Sequence, residues 1–432
     1  MLSKRVSYGG LRQVNNTITL EGGAPLKGSI RAEGAKNACL PIMAAALLCQ
    51  GEVTLNDVPA HEDIQVMCQV LGALGARTNY VSAEKKLSIR TPALSNVEAP
   101  CTLVRKMRAS FLVIGPLLAR EGRAKVSLPG GCAIGIRPID LHLKGLKALG
   151  AEVTIGHGLI EASAKRLYGR RIYLDFPSVG ATENILMAAS LAEGVTTIEN
   201  AAREPEVVDL ACFINAMGGR VTGAGTETLR IQGVSSLGGG RYAVIPDRIE
   251  AGTYLLAAAI TGGAVNVENV IPAHLVPLIA KLQEAGCEVS EAEGLLQVRR
   301  DSPLRAVDIK TLPHPGFPTD LQSPAMAMLT LARGTSIITE TVFENRFRHV
   351  GELRRMGAKI KIEGHTAIVT GREKIFGAAV KATDLRAGAA LVLAGLAASG
   401  CTEVSCTHHI ERGYFHFVEK LAGLGAKIRR TG

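Results

Sequence analysis

The chain has 432 residues, too many for one ordinary hydrophobic core and suited to two domains of about 200 residues each. Apolar residues make up 47% of it and charged residues 20%, which excludes compositional disorder. Lysine and arginine outnumber aspartate and glutamate by 49 to 39, a balance that favours an anionic partner such as a phosphate, while aromatics at 4%, no tryptophan and no basic run argue against a nucleic-acid surface.

From the N-terminus, Lys4 and Arg5 are followed by Ser7, Gly9, Gly10, Arg12 and Gln13, so the apolar core of a signal peptide is missing. No apolar run approaches the roughly 20 residues of a membrane span; Leu40 to Cys49 is among the longest. The nine cysteines are odd in number and lack framework spacing, which points to a reducing compartment without disulfides and to a soluble, cytoplasmic protein that does not engage membranes.

Further along, one motif recurs. Leu74-Gly75-Ala76, Leu149-Gly150-Ala151, Met217-Gly218-Gly219, Ala285-Gly286-Cys287, Met356-Gly357-Ala358 and Leu424-Gly425-Ala426 place their glycines 75, 68, 68, 71 and 68 residues apart. Each precedes a short β-like stretch, so the glycine reads as the left-handed stop of a helix. A second series, Gly51, Gly122, Gly194, Gly262, Gly334 and Gly400, closes an apolar stretch and opens a strand. The predicted unit is an apolar helix, a strand, a more amphipathic helix and two further strands, six times over and three to a lobe. Helices apolar all round, such as Met43–Leu48 or Leu391–Leu396, belong inside a core with sheets around them.

The N-termini of the six apolar helices hold most of their polarity: Lys36-Asn37, Arg105 with Arg108, Ser178, Asp247-Arg248, Asp320, and Asp384 with Arg386. If the lobes face each other these positions converge on the cleft, where helix N–H groups and dipoles suit phosphates and carboxylates. A second ring, Arg137, Glu204, Arg346 and Arg412, falls near the start of each following helix. Any one such charge is ordinarily a cap or an ion pair; a set in phase is not.

Between the second and third units, Ser127-Leu-Pro-Gly-Gly-Cys-Ala-Ile-Gly-Ile-Arg-Pro138 carries three glycines and two prolines, the composition of a loop that closes over a ligand. Cys132 lies in it, five residues from Arg137, and neighbouring cations lower a thiol pKa and suit it to proton donation or nucleophilic attack. The other eight cysteines read as small core hydrophobes. Gly223 to Thr228 matches a dinucleotide fingerprint only in part. Cys401, Cys406, His408 and His409 read as structural and not as a metal site, the two cysteines falling on opposite faces of a predicted strand.

Nearly the whole chain resembles the UDP-N-acetylglucosamine 1-carboxyvinyltransferase family of enolpyruvyl transferases. The resemblance rests on Gly34–Ala38, Lys106–Ser110, Leu128–Cys132, Gly135–His142, Ser178–Thr182, Glu199–Glu206, Pro246–Glu250, Phe317–Gln322, Thr339–Phe347, Thr383–Ala387 and Glu411–Tyr414, in that order. It implies an α/β fold of two inside-out α/β barrel domains, each of three repeats with buried helices and sheets outside. One domain is expected over 36–245 and the other over 1–35 plus 246–432, with the active site between them. It implies transfer of the enolpyruvyl group of phosphoenolpyruvate to the 3′-hydroxyl of UDP-N-acetylglucosamine, the first committed step of peptidoglycan synthesis, with no metal or cofactor.

Carried over residue by residue, Cys132 matches the general acid and Asp320 the base on the sugar hydroxyl. Lys36, Asn37, Arg137 and Arg412 match the phosphoenolpyruvate site. The UDP-sugar site falls on Arg108, Arg137, Pro138, Ile139, Asp140, Leu141, Phe176, Pro177, Ser178, Val179, Asp320 and Val342. Glu344, Arg346, Asp384 and Arg386 match further cleft positions. Pro324, Arg348 and Phe176-Pro177 depart from the usual residues without removing a catalytic group. A transferase acting on shikimate 3-phosphate, which lacks the Gly-Gly-Cys loop, and an inactive paralogue, against which the intact Cys132, Asp320, Lys36 and Arg412 speak, are the alternatives.

Overall fold

The computed structural model describes residues 17–130, 134, 135 and 138–431. Their buried apolar side chains fall into two clusters, one drawn from residues 35–244 and one from 18–32 and 249–426. At the centre of the second lie three helices, Arg248–Thr261, Thr319–Leu329 and Leu385–Ala397, packed on one another. Small residues permit the approach: a Cβ at Gly252 would stand 2.7 Å from a Leu321 methyl. The first cluster is built on Lys36–Ala45, Ile114–Glu121 and Val179–Ala189. Burial on every side is why these helices are apolar all round.

The helix-stop glycines behave as expected. Gly75, Gly150, Gly218, Gly286, Gly357 and Gly425 all have φ between +91° and +107°, the left-handed region where a side chain is strained. The second series is left-handed at Gly122, Gly194, Gly262, Gly334 and Gly400. Gly51 is the exception; there glycine serves close approach, since a Cβ would stand 2.9 Å from the Gly239 nitrogen.

Among the described residues the strands form five four-stranded sheets and one three-stranded sheet. Their alternating burial, as in Thr228–Gln232, turns one face to the core and the other to water. Each four-stranded sheet contains a strand that the predicted unit omitted. Arg171–Tyr173, ahead of the helix Val179–Ala189, pairs in parallel with Val195–Glu199. The last unit is completed from the far end of the chain, where Thr17–Glu21 lies between Cys401–Ser405 and Lys427–Thr431 with Ile18 opposite Val404 and Arg430. The second unit departs most. Its apolar helix begins as a 3-10 stretch, Arg108–Val113, and a single bridge from Glu98 to Lys125 stands where the fourth strand would be.

The sheets are separate and surround the buried helices, the inside-out arrangement expected by resemblance, and no closed barrel of strands forms among the described residues. The amphipathic helices explain it: Pro205–Ala216 packs against both Arg220–Thr222 of its own sheet and Gly240–Ala243 of the next, and so lies between them. The partial fingerprint at 223–228 is the turn between two antiparallel strands, with Gly223 and Gly225 left-handed. Cys406 falls just past the strand Cys401–Ser405, and not on it.

The chain passes between the clusters twice. Lys27–Arg31 precedes the helix Lys36–Ala45 of the first cluster but pairs with Ala264–Glu268 of the second. Gly240–Ala243 precedes a helix of the second cluster but pairs with Val53–Asn56 of the first. The crossings meet side by side, with Ala35 N donating to Ile245 O at 2.7 Å and Asp247 N to Glu33 O at 2.7 Å.

Candidate active site

The helix starts singled out in the sequence hold their charges where both clusters meet. Lys36 opens its helix, and its nearly buried ammonium donates to Asp63 Oδ2 at 3.1 Å and to the Arg412 carbonyl at 2.7 Å. Asp63 in turn accepts from Arg412 Nη2 at 3.0 Å, so one carboxylate of the first cluster orders a cation from each. Arg412 Nη2 also donates to the Lys106 carbonyl at 3.3 Å. Burial pulls the Lys36 ammonium below the ordinary lysine value, with Asp63 opposing and Arg386 and Arg412 adding to the fall. Burial acts against the Asp63 carboxylate as well, but Lys36 and Arg412 outweigh it and hold its pKa below the usual range. Asn37, the next residue, is exposed.

Asp320, in the first turn of Thr319–Leu329, is gripped by two arginines: Arg346 Nη2 reaches Oδ1 at 2.5 Å and Arg386 Nη2 reaches Oδ2 at 3.1 Å. Both arginines are almost fully buried. Arg386 lies over the Tyr414 ring at 5.2 Å, and its helix is capped by Asp384, which accepts from the Arg386 and Ala387 N–H groups. Arg346 Nε and Arg386 Nε and Nη1 are buried with no acceptor among the described residues. Buried N–H groups are rarely left so.

A second bridge joins the clusters. Arg248, first in its helix, donates to Glu206 through Nε at 3.0 Å and Nη2 at 3.2 Å, and Glu204 accepts from the His314 N–H at 3.2 Å. Burial raises Glu206, but Arg248 overcomes it and leaves the carboxyl below its ordinary value.

The segments expected to hold the nucleotide sugar lie mostly in the first cluster. Arg108 opens the 3-10 stretch, Pro138 and Ile139 lead into the helix Asp140–Ala148, and Ser178 caps Val179–Ala189 by accepting from Ala181 N. Phe176 is exposed beside Pro177. Val342 belongs to the second cluster's side, in a turn that Glu340 fixes by accepting from the Val342 and Phe343 N–H groups and from the Thr319 hydroxyl.

Cys132 and Arg137 lie outside the described residues. Of their loop, the Ile134 carbonyl accepts from Asn345 N at 3.0 Å, and Gly135 packs against the Glu344 carboxylate with φ at +153°. The loop thus reaches the segment 344–346 of the opposite cluster.

Sequence reasoning missed Asp63, Glu206 as the partner of Arg248, and His61 beside Lys36. Asp63 is the second residue of the helix Glu62–Ala73, the place that Glu206 takes in its own unit, so the repeat phase was the signal that could have found it.

Residues 20–421 match the family described as EPSP synthase (3-phosphoshikimate 1-carboxyvinyltransferase). UDP-N-acetylglucosamine 1-carboxyvinyltransferase 2 of Carboxydothermus hydrogenoformans is 62% identical over 416 residues, covering 96% of this chain and 99% of that protein. UDP-N-acetylglucosamine 1-carboxyvinyltransferase 1 of Caldanaerobacter subterraneus subsp. tengcongensis is 59% identical over 413 residues, with the same coverage of 96% and 99%. Among solved structures, the enolpyruvyl transferase NikO from Streptomyces tendae superposes with a TM-score of 0.88 at 27% identity, over 96% of this chain and 99% of that one. EPSP synthase from Acinetobacter baumannii, at 19% identity and a TM-score of 0.75 over 97% of this chain and 100% of that one, shares the fold.

Proposed function

Since the chain belongs to the UDP-N-acetylglucosamine 1-carboxyvinyltransferase family of enolpyruvyl transferases, we propose that the charged groups between its two clusters carry that family's reaction. The protein is a transferase that moves the enolpyruvyl group of phosphoenolpyruvate to the 3′-hydroxyl of UDP-N-acetylglucosamine and releases phosphate, a step of peptidoglycan synthesis. We read 36–245 and 1–35 plus 246–432 as the two domains, which the two apolar clusters support.

In the addition step the sugar oxygen bonds to C2 of phosphoenolpyruvate as C3 takes a proton, so an acid and a base must flank the reacting pair. Cys132 is the proposed acid and Asp320 the proposed base. Two arginines hold the Asp320 carboxylate in place at the start of its helix. The tetrahedral ketal carries phosphate and carboxylate together. Lys36, Asn37, Arg137 and Arg412 are proposed to hold them, and the buried, acceptor-less N–H groups of Arg346 and Arg386 lie beside Asp320. Loss of a C3 proton then expels phosphate and leaves the enol ether. Arg108, Arg137 to Leu141, Phe176 to Val179, Asp320 and Val342 are the proposed contacts of UDP-N-acetylglucosamine.

The observation that carries the site is the Lys36–Asp63–Arg412 group, in which residues of both clusters order two cations around one carboxylate. The reading is tested by phosphate release from phosphoenolpyruvate. Release with UDP-N-acetylglucosamine and none with shikimate 3-phosphate is expected, and the reverse pattern overturns it. Cys132→Ala should abolish turnover and block alkylation by the epoxide fosfomycin; full activity in that variant removes the role given to the thiol.

A further inference from the structure

Behind the proposed nucleotide-sugar segments lies a buried histidine that the reaction does not use. His142, on the helix that begins at Asp140, bonds through Nδ1 to Asn184 Nδ2 at 2.9 Å and meets the Phe111 ring edge-on, with centroids 5.2 Å apart. The amide of Asn184 is oriented from its other side, since Asn184 Oδ1 accepts from the Gly115 N–H at 3.1 Å. That fixes Nδ2 as the donor toward His142, so Nδ1 is the acceptor and the ring proton sits on Nε2. Nε2 faces Gly180: a Cβ there would stand 3.0 Å from Cε1 and 3.3 Å from Nε2. Burial first, and then the charge of Arg108, push the imidazole down to about 3, which keeps it neutral.

One ring is therefore tied to all three first-cluster parts of the proposed UDP-sugar site: its own helix carries Asp140 and Leu141, Gly180 directly follows Val179, and Phe111, which the ring meets edge-on, lies in the 3-10 stretch that Arg108 opens. We propose that His142 is a positioning residue for the nucleotide sugar. Held by Asn184 and seated on Gly180, it sets the gap between segments 138–141 and 176–179 and so the width of the slot in which the nucleotide lies. This rests on the site reading given above. The tight approach of the ring to the backbone at a glycine fixes the spacing.

Two substitutions act on this contact from opposite sides. His142→Phe keeps the ring and removes its hydrogen bonding. Gly180→Ala adds a methyl against the ring at a residue outside the left-handed region, so its backbone is unstrained. Each should raise KM for UDP-N-acetylglucosamine about tenfold, the worth of one neutral hydrogen bond or a small misplacement. In each, kcat and KM for phosphoenolpyruvate should stay within about twofold, a split that general loss of structure does not produce. If His142→Phe does not fold, Gly180→Ala carries the test. An unchanged KM for the sugar nucleotide in a folded variant overturns the proposal, as does a fall in kcat alone. Arg108→Ala separates the two levels. Should it raise that KM while the other two do not, only the role of His142 fails; should it also leave KM unchanged, the placement of the nucleotide site fails with it.

Discussion

Asp63 shows how a residue without a chemical step can govern one that has it. Lys36 is pulled below its ordinary pKa by burial, and Asp63 is the group that most opposes this. Asp63→Asn removes the opposition and leaves the neighbouring Arg386 and Arg412 charges acting in the same direction as burial. The ammonium then gives up its proton at lower pH. If protonated Lys36 holds the phosphate, the alkaline limb of kcat/KM for phosphoenolpyruvate should move to lower pH by about one unit or more. A limb in its original place would mean that Lys36 is not the group reporting there. Residues such as Lys36, Asp320 and Arg412 were legible in the sequence because they start repeated elements or carry family motifs. The two grips on Asp320 were not, since Arg346 and Arg386 lie 26 and 66 residues away and no local pattern encodes such pairing.

At the scale of elements, the helix stops were legible because left-handed backbone is cheap only for glycine, so the same chemistry had to recur at Gly75, Gly150 and their counterparts. The strands ahead of the buried helices were not. Lys27–Arg31 buries only Ile30, which leaves no alternation to read, and its partner lies more than 230 residues on. The strand Thr17–Glu21 alternates, burying Ile18 and Leu20, but its pairing was hidden because its partners lie at the far end of the sequence, at 401–405 and 427–431. It is also the element whose loss should be felt most cleanly, because it is one of the two inner strands of its sheet and Leu20 packs where a Cβ on Gly395 would be. Leu20→Ala should cost about 2–5 kcal/mol in urea unfolding, the range for a cavity at a fully buried leucine, with kcat unchanged at 25 °C. A loss under about 1 kcal/mol would mean that the site collapses around the smaller side chain.

For the whole molecule the double crossing is the defining feature, and a buried charge cluster stands on it. Glu33, on one crossing, pairs with Lys85 of the first cluster and with Lys420 of the second at 3.2 Å. Lys420 also meets Glu250 at 2.7 Å and lies over Tyr254, and Glu250 accepts from the Glu33 N–H. Burial raises Glu250 to about 7 despite Lys420, while an unfolded glutamate titrates near about 4.3. Between those values the folded protein binds the extra proton, so this group's contribution to stability falls as pH rises from about 4.3 to about 7 and is level beyond. Glu250→Gln should lack that slope: its Tm relative to the original protein should climb from pH 5 to pH 8. Parallel Tm curves would show that Lys420 keeps the carboxylate charged throughout.

The exchange of strands has a consequence in time as well as in space. During synthesis residues 17–31 emerge well before their partners at 264–268, 401–405 and 427–431. At about 5–20 residues per second the leading segment waits on the order of tens of seconds with its hydrogen-bonding edges unclaimed, while residues 36–243 already hold nearly everything their own core requires. The cluster that finishes last is therefore the one holding the earliest-made strands, and residues 17–31 are spent as the closing pieces of sheets whose other strands are made long after them.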